Sequence, residues 1–419
     1  MITVMKAKQV CWVVMAIALA ACSGNEKSRL VGNEKSRLDD LPVVAQSVEV
    51  DGEKMTVCEL NLLKDTIDLP LNYWVDDFET VKLDGTDEAL VGQGPVCVSE
   101  NYILVGRANN VPCKLFRRDG SFVGKVGNIG QGPGEYTMLY DMQIDEQAGR
   151  VYFLPWNAKS IFVYDMKGQY LLDIPLNKKY EKLMVPKGLF KVDAAKNRVA
   201  VMTLPFDYLP LVAWVQDMEG NFLHEVPMNH LKIRPAFSNE MLSSKCFADA
   251  LDVSLYTLKE VRKDTLYHLD MNDGKLYPKF TLDFGGRDIT RHNYFDFSTH
   301  YAGSLAAIEQ VSENSFMVNA TCAYLVEKES GKGAFFRTTN DFLDNEPINI
   351  ISKRCSNGYY TLNIEPAALI EKLEKGLKNH PDEARRKKME ALMKTIDEDD
   401  NNYIFIGKLK TEFDNTVEK

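Results

Sequence analysis

Five turns of one kind recur along this chain at nearly constant intervals, and that rhythm restricts the fold more than any other feature. Each runs from an acidic residue to a glycine after a short β-branched or aromatic stretch: Asp119-Gly120, Asp165 to Gly168, Asp217 to Gly220, Asp270 to Gly274 and Glu327 to Gly331. Successive glycines stand 48, 52, 54 and 57 residues apart. The stretches around them, such as "NYILVGR", "RVYFLPW", "SIFVYDMKG", "RVAVMTLP" and "LVAWVQDMEG", are strand text, and several alternate apolar with polar residues. A period near fifty with several strands per unit is the signature of propeller blades. Five units reach residue 331, and a sixth is assembled from "GYYTLNI" and "NYIFIGKLK", closed by an N-terminal strand such as "FETVKLD". Closure removes the open sheet edges that invite aggregation. The expected architecture is an all-β, six-bladed β-propeller over residues 46–419.

One segment breaks the strand pattern. Residues 366–402 carry apolar positions at helical spacing, Leu369, Ile370, Leu373 and Leu377, then Met389, Leu392, Met393 and Ile396, with Pro381 dividing them into two helices. The pattern predicts a C-terminal helical insertion between strands of the last blade, laid over one face of the propeller.

The N-terminus reads as an address. Lys6 and Lys8 precede an apolar run from Val10 to Ala21, too short for the ~20 residues that span a bilayer, and small residues stand before Cys22. "Leu19-Ala20-Ala21-Cys22" resembles the lipobox of bacterial lipoproteins, so residues 1–22 are expected to be a lipoprotein signal and Cys22 the acylated anchor in the lipid bilayer. Residues 23–45 contain "GNEKSRL" twice and read as a polar tether.

Composition narrows the function. A formal charge of −10 argues against a nucleic-acid partner. The six cysteines beyond Cys22 form no C-x-x-C pair, so neither a zinc site nor a thioredoxin-type site is indicated; Cys97 and Cys113 fit neighbouring strands, with buried thiols favoured over a disulfide. "HEVPM" lacks the second histidine of a zinc-protease helix, and no G-x-S-x-G is present. The acidic run Asp397 to Asn402 lacks the glycine and terminal glutamate of an EF-hand and reads as a solvated helix end. No cofactor is implied, and a divalent cation is left open.

The stretch "GNIGQGPGEY", residues 127–136, has no lysine for a Walker loop and no helix after it for a dinucleotide fold. Gly130, Gly132, Pro133 and Gly134 instead suit a sharp inter-blade turn. Its functional alternative presents Glu135 and Tyr136 at a propeller face with Arg107, Asp141 and Trp156, an aromatic-and-acid set suited to sugar or peptide recognition. This loop, the following "MQIDEQAGRVYFLPWNAKSIFVYDMKGQYL", the later "DTLYHLDMNDGKLYPKFTLDFG" and the closing "NNYIFIGKLK" resemble the six-bladed β-propeller lipoproteins abundant in Bacteroides and relatives, distant kin of the NHL-repeat propellers. That resemblance, from about residue 70 onward, implies a lipid-anchored cell-envelope protein, with an outer-membrane anchor expected on a face the sequence leaves open. Two function classes follow: a binding or scaffold module for a glycan, peptide or envelope protein, which the scarcity of histidine favours, and a hydrolase or lyase with a metal-assisted site in the central channel.

Overall fold

Each acidic-to-glycine turn joins the third and fourth strands of one four-stranded antiparallel sheet in the computed structural model. The structure describes residues 40–411 apart from 237, 244–246, 248–250, 258–260, 313–314, 353 and 380. Cys22, the signal segment and residues 23–39 of the tether lie outside the described residues. Leu41, Val44 and Ala45 are already buried, so packing begins at Leu41.

Six sheets form the six blades. Blade 1 is built from Val96–Val98, Tyr102–Val105, Lys114–Arg117 and Phe122–Lys125. Blade 2 comprises Leu139–Asp145, Arg150–Pro155, Ser160–Asp165 and Tyr170–Pro175. Blade 3 comprises Leu189–Asp193, Arg198–Met202, Leu211–Gln216 and Phe222–Pro227. Blade 4 contains Glu240–Ser243, Asp252–Tyr256, Thr265–Leu269 and Leu276–Asp283, and blade 5 contains Arg291–Asp296, His300–Ser312, Ser315–Glu327 and Gly333–Thr339. Blade 6 takes Cys355–Ser356, Tyr359–Ile364 and Tyr403–Leu409 from the C-terminus and Val75–Lys82 from the N-terminus. The sixth blade lacks the recurring turn because its fourth strand arrives from the other end of the chain. "FETVKLD" supplies most of that closing strand.

The N-terminal residues do more than close the ring. A hairpin of Ala45–Val50 and Glu53–Glu59 lies parallel along the outer strand of blade 4, pairing Thr56 with Phe280. Thr66–Asp68 then runs parallel to the outer strand of blade 5. The arm therefore covers the edges of blades 4 and 5 before completing blade 6, strands that the repeat pattern alone does not reveal.

The core is a series of layers between facing blades. Leu104, Cys113, Leu115, Val126, Tyr136, Phe153 and Tyr164 fill the space between blades 1 and 2, and the largest layer joins blades 2, 3 and 4 around Phe190, Trp214 and Ile174. Cys58, Cys97, Cys113 and Cys355 are buried thiols. The helical insertion forms helix α1, Pro366–Lys378, and helix α2, Glu383–Met393, between the second and third strands of blade 6. Pro366 opens the first, and Asp382 caps the second by accepting from Arg385 N. Leu369, Leu373 and Met389 pack on Leu343, Ile364, Tyr403 and Phe405. Lys372 Nζ pairs with Asp344 at 2.8 Å, fastening the hairpin to the loop after blade 5.

Candidate functional site

Inner strands of blades 1, 2, 3 and 6 all begin at one end of the propeller axis and finish at the other. Antiparallel pairing leaves their first turns together at the finishing end, around a depression of about 990 Å³. It is lined by Ser99 and Glu100, residues 143–148, residues 191–196, Asn357 and Tyr359, with residues 268–272 of blade 4. The turns are stiffened by left-handed residues, Gly149 at φ +64° and Asn197 at φ +52°. The local repeat is visible as "DEQAGRV" and "DAAKNRV", a signal for this rim that the sequence carries.

Acids on the rim are largely committed to their own turns. Asp145 accepts from Ala148 N at 2.9 Å. Glu146 accepts from the backbone and side-chain nitrogens of Asn101 at 2.7 and 2.8 Å. Burial opposes ionisation of Glu146, but these bonds and those from Ser99 prevail and hold its carboxyl below the usual range. Asp270 accepts from Asn272 N. The exception in kind is His268: its Nδ1 lies 2.8 Å from Oδ1 of the buried Asp252, while Nε2 has no hydrogen-bond partner among the described residues. The bond to Asp252 raises the imidazole pKa against the opposing effect of burial. Sequence reasoning missed this pair, whose members stand sixteen residues apart on adjacent strands.

At the opposite end the starts of the same inner strands enclose a narrower cavity of about 190 Å³, lined by Arg107, Tyr140, Asp141, Met138, Leu189 and Ser356 among others. Of the five binding residues expected from sequence, Arg107 and Asp141 meet here. Asp141 Oδ2 accepts from Phe190 N at 2.9 Å, joining blades 2 and 3, and Gln143 continues the seam by exchanging bonds with Val192 N and O. Glu135 is half-buried and folds back on its loop, where its Oε2 accepts from Gly132 N at 2.9 Å. Tyr136 is buried; its hydroxyl accepts from Cys113 N at 2.9 Å and donates to Val126 O at 2.7 Å. Gly134 adopts φ +67°, and a Cβ there would stand 2.3 Å from the Tyr170 ring. Gly130 and Gly132 leave room for the Glu135 carboxylate, and Pro133 is exposed at the tip. Trp156 is 43% exposed and lies outside both cavities.

Asn401 and Asn402, read from sequence as part of a solvated helix end, are buried. Asn401 donates to Asp84 O and Ala89 O and accepts from Val91 N. Asn402 donates to Asn363 at 2.7 Å, so these asparagines stitch the chain between blades 6 and 1. Among the described residues, no three His, Cys, Asp or Glu side chains are grouped so as to hold a metal ion. No helix among them is long and apolar enough to cross a membrane.

Fold and site together define a six-bladed β-propeller whose last blade is closed by the N-terminus and carries a helical hairpin. The chain belongs to the family described as "Domain of unknown function (DUF4934)", whose model matches residues 56–408. It is similar in structure to the Bacteroides fragilis protein BF0058, whose name marks it as a candidate for export. The two share 14% identity with a TM-score of 0.51, over 82% of this chain and 99% of that one. A member of the DUF4221 family from Bacteroides vulgatus matches with 10% identity and a TM-score of 0.41, over 80% of this chain and 97% of that one. No curated protein matches the chain.

Proposed function

We propose that this protein is a lipid-anchored cell-envelope module that binds a glycan, a peptide or a partner protein in the wide mouth of its propeller. The observation that carries the reading is the depression of about 990 Å³ on the axis, large enough for a polymer segment and shaped by rigid turns of several blades. Because its acids are held by neighbouring backbone groups, the rim is preformed, which lowers the entropic cost of binding. Export agrees with the lipobox at Cys22 and with the name of the similar Bacteroides fragilis protein. Cys322 is disulfide-bonded, a state that persists outside the reducing cytosol.

Thermal-shift screening of the domain from Leu41 onward against glycans, peptides and divalent cations tests this reading. A glycan or peptide shift removed by Tyr359→Ala or His268→Gln supports the wide mouth. A shift removed by Glu135→Ala instead moves the site to the 127–136 loop. A second reading, hydrolase or lyase chemistry in the channel, is favoured by the His268–Asp252 pair, since a carboxylate that orients an imidazole suits proton transfer. Substrate turnover lost in His268→Gln with binding retained would select it.

A further inference from the structure

We propose that the narrow axial cavity is a binding site for a short aliphatic monocarboxylate, held by Arg107. This inference concerns the end of the axis opposite the wide mouth and does not depend on what that mouth binds. Arg107 lines the cavity, and its Nε is buried with no hydrogen-bond partner among the described residues. Among the described residues no carboxylate ion-pairs with it. Asp141 shares the cavity, but its oxygens accept from Phe190 N and Met142 N. Lys187, whose Nζ lies 5.9 Å from the centre of the Tyr140 ring, is bound to Glu240 Oε1 at 2.6 Å and to Asn239 O at 3.0 Å. The nearby Cys113 thiol is pushed up to about 11 by burial, against the pull of Tyr136 and Arg107, so at neutral pH it is no counter-ion.

A half-buried guanidinium without an anion is costly, and its planar fork matches a carboxylate through two parallel hydrogen bonds. The remaining chemistry of the cavity limits the rest of the ligand. Val96, Met138, Leu139 and Leu189 make the walls apolar, and the volume of about 190 Å³ equals that of roughly six water molecules in the liquid. One unpaired cation serves one carboxylate, and apolar walls serve a short hydrocarbon chain. The net charge of −10 works against anions at long range, so recognition depends on this local contact.

The test uses the full chain with butyrate as probe, and butanol, butylammonium and inorganic phosphate as comparisons at matched ionic strength. Butyrate should raise the melting temperature saturably, whereas butanol and butylammonium should not. Arg107→Lys, which keeps the charge but loses the fork, should weaken butyrate roughly tenfold. Leu139→Trp should block the cavity with Arg107 intact. Arg107→Gln should abolish the butyrate response while leaving the unliganded protein at least as stable as the parent, because the charge removed had no partner. A butyrate response equal in parent and Arg107→Gln overturns the proposal, as does no butyrate response in the parent. A strong loss of unliganded stability in Arg107→Gln also overturns it, since the guanidinium would then have a structural partner. Saturable binding of phosphate but not butyrate overturns the carboxylate assignment.

Discussion

At the scale of single residues, the recurring glycines meet two demands at once. Gly120, Gly168, Gly220, Gly274 and Gly331 all have positive φ, between +69° and +89°. Each also abuts the preceding blade or its added edge: a Cβ on Gly120 would stand 2.0 Å from Lys82 O, one on Gly168 2.0 Å from Lys125 O, and one on Gly331 2.4 Å from Ala45 O. Gly52 isolates the two effects, because its φ is +84° but nothing lies within 4 Å of its Cβ position. Gly52→Ala should therefore cost about 1–2 kcal/mol from backbone strain alone, and Gly168→Ala about 2–5 kcal/mol once overpacking is added, read by denaturant unfolding. Equal costs would deny the blade contact any energetic weight. His300 supplies a second residue-scale prediction. Burial lowers its pKa to about 4, with Lys328 adding to the effect. The folded protein therefore resists protonation that the unfolded chain accepts near pH 6.5. Its contribution is complete above that pH and is lost as pH falls toward 4, amounting to about 3 kcal/mol at most. Asp264, raised to about 6 by burial, acts in the opposite sense as pH rises from about 4 to 6. Melting curves at pH 7.5 and 5 should show a smaller acid-induced loss in His300→Asn than in the parent.

At the scale of elements, tyrosines lock one blade to the next. Tyr136 receives Cys113 N and donates to Val126 O, so its hydroxyl ties the third and fourth strands of blade 1 to the connector entering blade 2. Tyr294 repeats the device at the start of blade 5, accepting from Leu282 N at 3.2 Å and donating to Asp264 O at 3.3 Å across the ends of blade 4. Tyr136→Phe should cost about 1–3 kcal/mol because it strands a buried donor and acceptor, and Tyr294→Phe should cost less because its bonds are longer. Chemical denaturation of both variants checks the order. This explains why the glycine loop was legible as a turn although the role of Tyr136 was not. Residue spacing reports where a chain must bend, whereas the partner of a hydroxyl 23 residues away depends on how two blades meet.

At the scale of the whole molecule, stability rests on ring closure. A chain beginning at Leu41 keeps the arm, and it should unfold in a single cooperative transition. One beginning at Leu83 loses Val75–Lys82 and exposes the long edge of Tyr403–Leu409. Unpaired edges of this kind pair with other chains, so the shorter protein should aggregate or melt in separate steps. Calorimetry and size-exclusion chromatography distinguish these outcomes. A monodisperse, single-transition protein lacking the closing strand would show that the ring does not need it.

Blade number, the turns, the helical insertion and the closing strand were legible because each depends on short-range chemistry: two-residue alternation, turn residues, or helical spacing on either side of Pro381. The same logic placed Glu135 and Tyr136 in a sharply turned loop. It could not show Glu135 bonded to Gly132, or Tyr136 enclosed between blades. Nor could it reveal the parallel arm along blades 4 and 5, the His268–Asp252 pair at the wide mouth, or, at the narrow one, Arg107 left without a counter-ion among the described residues. Those features join residues from separate blades or from opposite ends of the chain. Their neighbours, and hence their burial and charge, exist only after six sheets have closed around one axis.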